Sequence, residues 1–174
     1  MKEHNTSNYR LSQTTKLVLT GVLSAIAIIG STFSFPILGS KCAPVQHLIN
    51  IITAVVLGPS YAVGAAFIAS LLRNLLGLGT IFAFPGSMCG ALLAGLLYKY
   101  TKKLPFAYIG ELVGTSIIGG LAAYPIASYV LGNQKAALLG FIPPFFISTA
   151  GGTILAIIII SACKKKGILP LSHK

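Results

Sequence analysis

The chain has 174 residues, of which 55% are hydrophobic and only 9% charged, where a soluble domain has roughly 25% charged residues; its mean hydropathy is +0.86. The apolar residues come in long runs, which excludes an ordinary half-buried soluble fold and points to the bilayer-spanning class. The net charge of +11 sits between those runs and at the chain ends, so it reads as membrane topology and contact with anionic headgroups, and no nucleic-acid motif accompanies it.

In chain order, residues 1–15 are polar and aperiodic and read as a short cytoplasmic tail. The first apolar run, Lys16–Leu38, is too long for the core of a signal peptide and lacks a small-x-small cleavage site before Phe35-Pro36, so it reads as a retained helix. A second, short run over His47–Leu57 ends at the turn signal Gly58-Pro59. A third helix follows to about Leu76 and is broken by Gly77-Leu78-Gly79-Thr80. A short segment with Phe84-Pro85-Gly86-Ser87 leads into a fourth helix ending near Tyr98. The basic patch Lys99, Lys102 and Lys103 precedes a fifth helix over Phe106–Val130, which Pro125 is expected to kink or to end. The sixth, Phe141–Cys163, carries Pro143-Pro144 in its first turn, where a missing N–H costs little.

These runs give an all-α integral membrane protein. A six-helix transmembrane domain spans residues 16–163, with a basic cytoplasmic tail over 164–174. With the amino terminus inside, Lys2, Arg10, Lys16, Lys99, Lys102, Lys103, Lys164, Lys165, Lys166 and Lys174 fall on the cytoplasmic side, and only Lys41, Arg73 and Lys135 outside. That asymmetry sets both termini inside. No internal repeat supports an inverted-repeat carrier.

Enzyme signatures are absent: no H-E-x-x-H, no G-x-S-x-G and no Walker-type loop. The two acids, Glu3 and Glu111, lie far apart in the sequence, so paired-carboxylate chemistry is excluded. Cys42, Cys89 and Cys163 form no C-x-x-C pair and are odd in number, against a disulfide framework or zinc site. A Cys42–Cys89 bridge is conceivable because both fall near one membrane face; so is a metal held by His47, Cys42 and Cys89. The plainer reading of each cysteine is a small apolar side chain.

The polar cluster Lys41–Asn50 stands out between apolar runs. Gln46, Asn50 and Thr53 fall at i, i+4 and i+7 on the second helix, with His47 beside Asn50. Ser70 and Asn74 share a face of the third helix next to Arg73, and Ser87 opens the fourth. Tyr124 and Tyr129 lie on the outer part of the fifth. All converge on the outer third of the bundle, as a ligand pocket requires. The alternatives are interhelical hydrogen bonds for Asn50, Thr53 and Ser70, headgroup snorkelling for Arg73 and belt positions for the tyrosines. Glu111, about 20 Å below Tyr124 by helical rise, reads as a structural or coupling residue near the cytoplasmic end, within reach of Lys102 or Lys103. Gly21 and Ala25 make a small-x-x-x-small face on the first helix, open to a partner if not used within the chain; Gly114, Gly119 and Gly120 do similar work on the fifth.

The segments APVQHLIN (Ala43–Asn50), VVLGP (Val55–Pro59), LLRNLLGLGT (Leu71–Thr80), FAFPGS (Phe82–Ser87), GELVGT (Gly110–Thr115) and AAYP (Ala122–Pro125), in this order over Leu17–Cys163, resemble the ThiW family. These are substrate-binding S components of energy-coupling factor (ECF) transporters. The resemblance implies a bacterial plasma-membrane protein that captures a thiamine precursor, the hydroxyethylthiazole moiety, on the outer face. It implies docking to a transmembrane coupling subunit and two cytoplasmic ATPases, with no cofactor in this chain and ATP used by the partners. The coupling subunit would meet the first helix at an A-x-x-x-A-like face, where this chain has Gly21-x-x-x-Ala25. The first outer loop would cover the pocket, with Lys41–Val45 as cover and Gln46–Asn50 as contact surface. Gln46, His47, Asn50, Arg73, Asn74, Ser87 and Tyr124 are the expected substrate-binding residues. Two other classes stay open: a stand-alone gradient-driven carrier with Glu111 as its proton site, and a purely structural membrane protein.

Overall fold

The computed structural model describes residues 11–37, 40–133 and 135–166; the remainder of both expected tails lies outside them. Helix α1 (Gln13–Gly30) starts at Ser12, whose hydroxyl accepts from the Thr15 N–H at 3.1 Å, an ordinary N-cap. The first apolar run does not stay helical to Leu38. Ser31 and Thr32 bond back to the carbonyls of Ile28 and Ile29 around a single 3₁₀ turn, Ser31–Phe33. Phe35, preceding Pro36, is disfavoured in the α region. The chain turns instead into an antiparallel hairpin, β1 (Phe35–Ile37) with β2 (Ser40–Cys42), Pro36 opposite Lys41. The fold is thus mostly helical with one small hairpin, a departure from an all-α bundle.

Helix α2 (Pro44–Val56) begins three residues earlier than expected, because Pro44 supplies a ready first-turn residue. Its end is closed by Leu57 and Gly58, whose N–H groups both return to the Thr53 carbonyl; Gly58, at φ 95°, takes the left-handed step that a side chain would resist. Helix α3 spans Pro59–Leu75. Helix α4 (Ala83–Thr101) absorbs Phe84-Pro85-Gly86-Ser87 into its first turns, since a proline that early breaks no internal hydrogen bond. Helix α5 (Leu104–Val130) passes through Pro125 without stopping. Wide π turns at Gly114–Gly119 and Ile126–Val130 take up the irregularity on either side. Helix α6 (Ile142–Lys165) opens on Pro143-Pro144 as expected.

The short α2 is the hub. Leu48, Ile51 and Val55 pack on Ala107 of α5 and on Ala156 and Ile160 of α6. Ala54 meets the alanines of α3 and α4, and Ile49 meets Ala27 of α1 and Ala69 of α3. Alanines at these contacts let the backbones close in, and van der Waals packing is what holds helices together in lipid. The outer faces are apolar instead: Leu17, Ile29 and Ile158 are each at least 60% exposed. Gln13–Phe33, α5 and α6 are long and apolar enough to cross a membrane. Those two features make the chain a membrane protein. All three cysteines are free thiols, so the Cys42–Cys89 bridge is not formed. Among the described residues no three His, Cys, Asp or Glu side chains gather; His47, Cys42 and Cys89 do not assemble a metal site.

Candidate functional site

Helix α2 places its polar residues toward three neighbours at once. The Gln46 amide donates to the Ser70 hydroxyl of α3 at 3.1 Å, and Ser70 lies 3.2 Å from the Ser87 hydroxyl of α4. One turn on, the Asn50 amide donates to the Ser87 carbonyl at 3.2 Å and to Glu111 Oε1 at 2.9 Å. His47 Nδ1 sits 2.8 Å from the same oxygen, and the Thr115 hydroxyl donates to it at 3.2 Å. Glu111 is wholly buried; three donors converge on its Oε1, while Oε2 has no partner among the described residues. With Nδ1 donating, the imidazole's other nitrogen is left for the cavity that His47 lines.

The partners of Glu111 are a correction. Counting along one helix sets it near the cytoplasmic end, beside Lys102 or Lys103. The structure keeps it about two turns into α5 but seats it against His47 and Asn50 of α2. The count measures position along α5 alone and cannot register how the short α2 is placed against the 27-residue α5. Two glycines permit the approach: a Cβ on Gly90 would lie 2.1 Å from the Thr115 hydroxyl and 2.8 Å from Glu111 Oε2, and one on Gly152 would lie 2.5 Å from His47 Cβ.

Above this network, at the hairpin end of the bundle, is a cavity of about 440 Å³ including its open mouth. Gln46, His47, Arg73 and Ser87 line it, with Thr115, Ser148, Phe82 and Phe145. Lys41 of β2 stands at the rim, its ammonium donating to the Gly77 carbonyl at 2.7 Å. The Ala43 N–H donates to the Ser148 hydroxyl at 2.9 Å, so the hairpin is tied to α6 on one side and to the Gly77 loop on the other. Arg73 is 2% exposed and its Nε has no partner.

Four of the seven expected binding residues therefore share the cavity, and Asn50 forms part of the layer under it. Asn74 does not line it: its amide bridges the carbonyls of Ser70 and Thr80 at 2.8 and 3.0 Å and holds the α3–α4 loop in place. Tyr124 is half-buried on α5 and does not line it either. Thr53 bonds back within α2 to Ile49. Sequence reasoning passed over Phe82, Phe145 and Ser148 as wall residues. The usable signal was Pro143-Pro144, which fixes the start of α6 and so puts its first two turns at pocket depth. Gly21 and Ala25 are exposed on α1, with no atom within 4 Å of a Cβ placed on Gly21.

A family profile described as "Thiamine-precursor transporter protein (ThiW)" matches residues 17–166. Among solved structures, one described as "Structure and mechanism of the S component of a bacterial ECF transporter" superposes with a TM-score of 0.70 at 23% identity, covering 88% of this chain and 98% of that one. At that identity the likeness speaks for the fold. No curated protein sequence matches the chain.

Proposed function

The chain belongs to the ThiW family of thiamine-precursor transporter proteins, and we propose that it is the substrate-binding S subunit of an ATP-driven ECF importer. In this reading the six-helix bundle is embedded in a bacterial plasma membrane with both termini cytoplasmic. The cavity then opens to the outside beneath the β1–β2 hairpin. Its cargo is a small thiazole precursor of the hydroxyethylthiazole type. The observation that carries the reading is the cavity itself: Phe82 and Phe145 offer apolar faces to a ring, and Gln46, His47, Ser87 and Ser148 offer hydrogen-bonding groups around it. Intact thiamine is cationic and would meet Arg73 and Lys41 with no lining carboxylate, so the precursor fits better than the vitamin.

The coupling subunit binds the exposed Gly21–Ala25 face of α1, and two ATPases on the cytoplasmic side supply the energy. Reconstitution with coupling and ATPase partners in vesicles tests this. Uptake of labelled thiazole is expected to require ATP, and Ala25→Leu to abolish uptake while leaving binding by the purified chain within about twofold. Buried Glu111 beside His47 is the observation behind the other reading, a stand-alone carrier. ATP-independent uptake driven by a proton gradient and lost in Glu111→Gln would establish that reading and overturn the first.

A further inference from the structure

Arg73 is a buried cation with no counter-ion among the described residues. Its guanidinium is a cation at neutral pH, and a charge withdrawn from water is costly unless it is paired. Among the described residues no carboxylate pairs with it. The only described acid, Glu111, is engaged through Oε1 by His47, Asn50 and Thr115 and does not line the cavity. Arg73 does line it, with Nε unpartnered. The second lining cation, Lys41, stands at the mouth. Every other polar side chain in the wall is neutral or, for His47, already bound to Glu111. Among the described residues, the cavity wall therefore carries two positive charges and no negative one.

We propose that the pocket takes its ligand as an anion, with a carboxylate or phosphate monoester paired to Arg73 and the ring lying against Phe82 and Phe145. This rests on the thiazole reading above and sharpens it: the preferred form of the precursor is the phosphate ester of the thiazole alcohol, or a thiazole carboxylate, in place of the free alcohol. A guanidinium matches either group with two parallel N–H donors. Lys41, held over the mouth by Gly77, adds a second attraction during entry. The same charges disfavour any cationic ligand.

The test uses the purified full chain in lipid nanodiscs, titrated with the thiazole alcohol, its phosphate monoester and the matching thiazole acetate. Both anions are expected to bind about tenfold or more tighter than the alcohol, the gain of a charge-assisted hydrogen bond. Arg73→Gln should erase that preference, bringing the anions to within about twofold of the alcohol measured on the same variant, and added salt should weaken only the anions on the unsubstituted chain. An alcohol that binds as tightly as both anions, or an anion preference that survives Arg73→Gln, overturns the proposal while the thiazole reading stands. If Arg73→Gln does not fold, the ranking on the unsubstituted chain decides alone. Failure of all three thiazoles to bind overturns both.

Discussion

At the level of single residues, Glu111 is the anchor of His47. Its carboxylate faces three donors at 2.8–3.2 Å, so Glu111→Gln keeps the shape but brings a poorer acceptor and an amide N–H that has nowhere to go. We expect a loss of about 1–3 kcal/mol in stability and ligand binding weakened about tenfold, because the weaker acceptor holds the His47 ring less firmly in its place at the cavity wall. Thermal unfolding and ligand titration on the same preparation check this; no change in either contradicts the anchoring role. Residue type alone made Gln46, His47, Arg73 and Ser87 legible in the sequence, since polar side chains between apolar runs demand a reason. The same signal also picked out Asn74 and Tyr124, which do not line the cavity. Polarity marks a residue as unusual in lipid without saying whether a ligand or a carbonyl satisfies it: Asn74 is satisfied by Ser70 and Thr80.

Among the elements, α2 decides the site, because α1, α3, α4, α5 and α6 all pack around its 13 residues. Its contacts are set by small residues that no longer side chain can replace. Gly90→Ala on α4 would drive its methyl into Thr115 and Glu111, forcing α4 and α5 apart or breaking the Thr115–Glu111 bond. The expected cost is about 1–3 kcal/mol, with weaker ligand binding. Gly64→Ala on α3 meets nothing within 4 Å and should be neutral or stabilising by up to about 1 kcal/mol. Thermal unfolding of the pair separates a packing glycine from a merely helical one; equal effects would contradict the close approach. The helices were readable from the apolar runs and their proline and glycine punctuation. The hairpin was not, because Phe35-Pro36-Ile37 is as apolar as the helix before it, and only the backbone demands of Pro36 and the Ser31 and Thr32 back-bonds divide them.

For the whole molecule, the sequence pattern and the fold agree on a membrane protein with a polar site at one end of the bundle. The depth relation between Glu111 and His47 escapes any single-helix count, since it depends on how two helices of unequal length are set side by side. The exposed α1 face with Gly21 and Ala25 is likewise visible only once α1 is seen packing through Ser24 and Ala27, which are buried. What unites the residues, the hub helix and the family is a pocket for a small, non-cationic ring. Calorimetric titration of the purified full chain with a thiazole precursor, the pyrimidine precursor and thiamine is the direct measurement. The account predicts saturable binding of the thiazole, as alcohol or anion, with the pyrimidine and thiamine at least about tenfold weaker. Tighter binding of thiamine or of the pyrimidine, or no thiazole binding at all, would contradict it.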